Sequence, residues 1–254
     1  INMYTLFETP AWFAGFDLAL DTIAFLITLV ISSYSFKLFK LNENRKFGYF
    51  SLAFALMSLA FLFKLVTYGI VYSSASQVVA ATTIEAVTGM GGVNLSLRNL
   101  LYRTGFFVQM AATLGSLLLL FLISQTSRDR LTKFYEVSQI GLFSYFVILL
   151  SIVSTFKYTV FYLTSFVLLS LIVLNYYKNY LTKKSANSLR VFVAFICLMI
   201  AQFFFIFVFA ANWFYFVAEI FTLIGFAIIA AVYMQVSRIQ GRSKNQPKIF
   251  EVKV

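Results

Sequence analysis

A few residues stand in the chain where ionisable or amide side chains are costly, and any chemistry the protein performs must begin with them. Asp17 and Asp21, Lys64 and Glu219 all lie inside long apolar stretches. The four-residue spacing of Asp17 and Asp21 puts both carboxylates on one helix face, a turn apart. A charged side chain at the centre of a spanning helix costs about 2.5–3.5 kcal/mol on insertion scales. Lys64 is therefore expected to pair with Asp21 or Glu219. Tyr68 continues the Lys64 face, and Gln109 and Gln202 add amides in two further stretches. With a rise of about 1.5 Å per residue, Asp21, Lys64, Gln109, Gln202 and Glu219 fall roughly 9–13 Å below one boundary. Five segments thus contribute to one polar layer. Such a layer can do two things: lock helices together as a buried ion-pair network, or bind a ligand or ion.

Other chemistries are missing their residues. With no histidine and a single cysteine, His-ligated haem, the usual zinc sites and Ser-His or Cys-His catalysis are excluded. Cys197, mid-segment among apolar neighbours, reads as a small core residue. There is no HExxH, GxSxG or Gly-rich phosphate loop. The chain is expected to be no enzyme, with no cofactor and no metal site. The last apolar segment holds no lysine for a retinal Schiff base.

The elements that must position these residues follow from hydropathy. Of the 254 residues, 61% are hydrophobic and 11% charged, against ~25% charged in ordinary soluble chains. Apolar runs near twenty residues read as spanning helices. They predict an all-α integral membrane protein of about seven transmembrane helices, occupying residues 1–237, with spans at about 11–36, 47–72, 101–124, 138–156, 158–177, 190–210 and 214–236. An outer loop at 73–100 and a polar basic tail at 238–254 complete the chain. No cleavable signal peptide is expected, because the first apolar run is long enough to span. The chain begins at Ile1 rather than Met, so it reads as processed or as part of something longer.

Loop charge tests the count. With the N-terminus outside, the inner loops and tail carry sixteen Lys/Arg and the outer segments three, Arg98, Arg103 and Lys157. That is the positive-inside pattern, and it puts the C-terminus in the cytoplasm of a multi-pass cell-membrane protein. The net charge of +11 is accordingly topogenic, and no nucleic acid is expected as a partner. Trp12 and Trp213 fall at the outer boundary, where amphipathic rings settle. Residues Gln77 to Val87 could form a short amphipathic helix over the pocket, or a plain surface loop. Asn94-Leu95-Ser96 is a candidate glycosylation sequon on the outer side.

The stretch YSFKLFKLNENRKFGYFSLAFALMSLAFLFK, Tyr34 to Lys64, joins a basic turn to an aromatic-rich helix. It resembles the first hairpin of the seven-helix sensor regions found ahead of prokaryotic histidine kinases. The resemblance implies a receptor-like role and assigns no functional residues. Those proteins carry a cytoplasmic output domain, whereas only 18 residues follow Val236. A signal would then pass to a protein partner on the cytoplasmic side or within the membrane. Beside the bilayer itself, that partner is the interaction expected. The leading reading is a receptor-like or accessory subunit. A channel or transporter subunit, or a structural subunit of a larger membrane complex, are the alternatives.

Overall fold

A computed structural model describes residues 15–72, 94–125, 144 and 158–245. Among them are six long helices: α1 (Phe16–Asn42), α2 (Arg45–Tyr72), α3 (Asn94–Gln125), α4 (Tyr158–Lys183), α5 (Ala186–Ile206) and α6 (Trp213–Asn245). All six are long and apolar enough to cross a membrane, and no strand occurs among the described residues. The chain is an α-helical, multi-pass membrane protein. The expected span at 138–156 apart from residue 144, the loop 73–93, the segment Gln77 to Val87 and the last residues of the tail lie outside the described residues.

Helix ends differ from the hydropathy reading where polar residues continue a helix. α3 begins at Asn94, inside the stretch read as outer loop, and α6 runs to Asn245, into the stretch read as tail. Hydropathy locates the lipid-soluble part of a helix, while the hydrogen-bonded coil extends past it into the interface. The basic loop expected around Lys178 to Arg190 shrinks to a turn. There Lys184 takes a left-handed conformation and its N–H bonds the Tyr180 carbonyl at 2.8 Å. Ser185 then caps α5, its side chain accepting from the Ser188 N–H. The α1–α2 turn has the same design. Glu43 is left-handed, its N–H bonding the Phe39 carbonyl, and the Asn44 side chain accepts from the Lys46 N–H. One left-handed residue ends the first helix and one polar side chain starts the next.

Contacts fix the direction of each helix. Ser32 and Ser51 exchange hydroxyl-to-carbonyl hydrogen bonds at 3.0 and 2.9 Å, and the Ser35 hydroxyl donates to the Phe47 carbonyl, so α1 and α2 are antiparallel. Thr67 meets Gly105 and Leu56 meets Gly115, so α3 turns back along α2. Tyr176 stacks on Phe195 and Tyr162 on Phe205, making α4 and α5 antiparallel. Arg190 on α5 reaches Gln235 on α6 at 2.8 Å. The contact between α3 and α4 runs the other way. Ser124, near the end of α3, accepts from Asn175, near the end of α4, while Gln109 and Phe161 meet around one cavity farther back. These two helices are parallel. α1 packs on both α2 and α6, closing the helices into a ring. Lys37, Lys40, Arg45, Lys46, Lys178, Lys184 and Arg190 all lie at one end of it, the basic end.

The bundle differs from a soluble one in being apolar outside as well as inside. The buried seam of α1 is Asp17, Asp21, Ala24, Thr28, Ile31, Ser35 and Leu38, alternating spacings of four and three. That is the 3.5-residue repeat of supercoiled helices. Small and polar residues occupy it, as lipid-embedded interfaces favour. Leu18, Ile23, Leu26, Leu29 and Val30 point outward. So large an exposed apolar surface suits a bilayer and not water.

Gly225 sits where α5 and α6 approach closely. A Cβ there would meet the Leu198 side chain at 2.8 Å and the Ala194 carbonyl at 3.0 Å. Gly115 has Leu56 only at 4.0 Å. Gly225→Ala is expected to lower stability by about 1–2 kcal/mol, overpacking outweighing the entropy gained. Gly115→Ala should be neutral or stabilising by up to about 1 kcal/mol. Unfolding titrations in detergent micelles would compare the two.

Candidate functional site

Lys64 sits on the inward face of α2 and brings three helices to one point. Its ammonium donates to Asp21 Oδ1 at 2.8 Å and to Glu219 Oε1 at 3.3 Å. Asp21 is fully buried, and Glu219 and Lys64 are 2% and 7% exposed. The ring of Tyr215 lies 6.0 Å from the same nitrogen, at the outer limit of cation–π attraction. Both carboxylates named in the sequence as candidate partners contact the lysine, one from α1 and one from α6. The result is a buried charge cluster in which Lys64 holds one oxygen of each carboxylate, while Asp21 Oδ2 is buried without a hydrogen-bond partner among the described residues.

Asp17 plays a different part. It is buried one turn away from Asp21, but its Oδ1 accepts from the N–H groups of Gly15 and Leu18. Gly15, the residue before α1, has a φ of 100° and supplies no side-chain cap. Asp17 therefore satisfies the helix start itself, where a negative charge also meets the positive end of the helix dipole. The side chains of Tyr68 and Asn94 lie outside the described set, although both residues belong to helices.

Beside the charge cluster is a cavity of about 80 Å³, enclosed by α2 to α6. Lys64, Glu219, Gln109 and Gln202 all line it, so four residues of the expected polar layer do share one space. Asp21 stands behind Lys64 instead of on the wall. Thr113 and Thr222 line it too, and their hydroxyls donate to the Gln109 and Ala218 carbonyls of their own helices. Sequence reasoning passed over both. The signal was available, since Thr113 is one turn beyond Gln109 and Thr222 one turn beyond Glu219. The wall from α4 had no such signal, because Phe161 and Tyr162 carry no charge to advertise them.

The cavity is mixed in character. Gln202 Oε1 is buried with no hydrogen-bond partner, a state that costs about 1–3 kcal/mol. Phe61, Phe161, Tyr162, Phe205 and Phe226 present rings, and Met57, Leu117, Leu169 and Leu198 complete the apolar part. Several waters could fit, with polar partners to hold them. Towards the basic end the ring is filled. Phe50 stacks on Tyr233 at 4.4 Å, Tyr176 on Phe195 at 4.8 Å, and Phe54 meets Phe226 edge-on. At the opposite end a second cluster of Phe205, Val208, Tyr215 and Ala218 covers the α5–α6 side.

Removing Lys64 should leave two buried carboxylates without their cation. Lys64→Met is expected to cost about 3–5 kcal/mol, the usual effect of breaking a buried pair on one side. Asp17→Asn keeps an acceptor for the helix start and should cost about 1 kcal/mol or less. Thermal unfolding of the two variants in nanodiscs distinguishes these roles, and equal losses would contradict them.

Comparison of the chain with protein-family models, with curated proteins and with solved structures finds no match.

Proposed function

We propose that the protein is a non-enzymatic, receptor-like subunit of the cell membrane, built on seven transmembrane helices with the N-terminus outside and the C-terminus in the cytoplasm. The parallel run of α3 and α4 supports the count. Two parallel helices require the intervening chain to return across the bilayer, and the apolar stretch 138–156 is the sequence candidate for that return. The gathering of basic residues at one end supports the orientation, because cytoplasmic loops carry the excess of Lys and Arg.

One observation carries the functional reading: a charged cluster linking α1, α2 and α6 borders a cavity of mixed polar and apolar lining whose basic-end side is plugged by stacked rings. A transport path needs polar groups on both sides of the bilayer midplane, and an aromatic plug opposes one. A receptor needs a site at one side and a packed body that can shift. Ligand in the cavity would reset the Lys64 contacts, move α6 relative to α2, and pass that shift to the basic end. A protein partner reading that end is part of the proposal.

Cysteine accessibility tests it, in a Cys197→Ala background and sealed right-side-out vesicles. Asn212→Cys should react with a membrane-impermeant maleimide from outside, and Asn187→Cys only after permeabilisation. A small charged methanethiosulfonate should reach Thr113→Cys from outside and leave Phe54→Cys unmodified. Reaction at Phe54→Cys from either side would sink the receptor reading in favour of a channel or transporter.

A further inference from the structure

We infer that the cavity is a site for a small organic ammonium ion with an apolar tail; this rests on reading the cavity as a ligand pocket. Charge comes first. Lys64 is shared by two carboxylates, so with all three groups ionised these three side chains together carry one net negative charge in a low-dielectric setting. Of the two carboxylates, Glu219 is the more loosely held, at 3.3 Å against 2.8 Å for Asp21, and it is the one on the cavity wall. A second cation can take Glu219 while Lys64 stays on Asp21.

The remaining wall fits the same ligand. The Gln202 Oε1 is buried without a donor, and an ammonium N–H would supply it. Phe61, Tyr162, Phe205 and Phe226 present rings to the space, and ring faces attract ammonium ions strongly once both are desolvated. A hard metal cation instead asks for a shell of six or more oxygens, which a wall this rich in rings and aliphatic side chains serves poorly. An anion is disfavoured because the lysine is already committed to carboxylates. Leu117 and Leu198 add aliphatic wall against which a short tail can pack. The volume of about 80 Å³ limits the ligand to several water-sized groups. Binding would loosen the Lys64–Glu219 contact, the ionic link between α2 and α6, and leave the Phe50–Tyr233 and Phe54–Phe226 ring pairs in place.

The test uses the full chain in nanodiscs, titrated with n-butylammonium chloride and followed by thermal unfolding and isothermal calorimetry. Sodium chloride at equal ionic strength and n-butanol are the controls. Saturable binding of n-butylammonium, with neither control reproducing it, is the expected result. Glu219→Gln should weaken it at least tenfold. Gln202→Leu provides a variant that folds safely, since it removes an unpaired buried carbonyl; it should raise the unfolding temperature of the ligand-free protein and weaken n-butylammonium several-fold. No saturable binding by the wild type, equal binding of n-butanol, or undiminished binding by both variants would overturn the assignment. A wild type that ignores n-butylammonium while Thr113→Cys still reacts from outside would refute the ligand class and leave the receptor reading standing.

Discussion

An ammonium group at membrane depth has to meet carboxylates, and the arrangement of this bundle follows from that one demand. Lipid tails cannot solvate Lys64, so α2 must turn it inward and present it to helices carrying Asp21 and Glu219. This requires α1 and α6, far apart in sequence, to lie beside α2, which closes the ring. Aliphatic contacts alone would not choose that closure, because lipid tails are as apolar as leucine side chains. Buried polar groups supply the specificity, and the small residues along the α1 seam let the helices come close enough to use it.

The cluster and the cavity are two consequences of one placement. Lys64 is held from behind by Asp21 and from the side by Glu219, so its polar end borders a space that neither α1 nor α6 fills. Around that space the chain changes character along the bundle axis. Rings plug the basic end, amides and hydroxyls line the middle, and a satellite aromatic cluster covers part of the opposite end. A body packed on one side and unfilled on the other is suited to taking up small shifts and transmitting them, because packed helix interfaces switch between arrangements instead of deforming continuously.

Much of this was legible in the sequence, for a physical reason. Charges in apolar runs are expensive enough to stand out, so Lys64, Asp21 and Glu219 identified themselves and their shared depth followed from helical rise. Neutral walls do not announce themselves. Phe161 and Tyr162 look like any lipid-facing aromatic until α4 is seen beside α3, and Thr113 and Thr222 look like ordinary helix hydroxyls. Asp17, one turn from Asp21, shows a role that spacing alone does not reveal, since its Oδ1 also holds the helix start. Hydropathy marks only the apolar part of a helix, so nothing apolar announces Asn94 as the start of α3 or carries α6 to Asn245.

The central claim is that Lys64 couples α2 to both α1 and α6 energetically and not merely by proximity. Double-mutant cycles measure this directly, pairing Lys64→Met with Asp21→Asn and, separately, with Glu219→Gln, each read as unfolding free energy in the same nanodiscs. The account predicts coupling of about 1–3 kcal/mol in both cycles, larger for Asp21 at its shorter distance. Additivity within about 0.5 kcal/mol in either cycle would mean that the corresponding contact holds nothing together, and would contradict it.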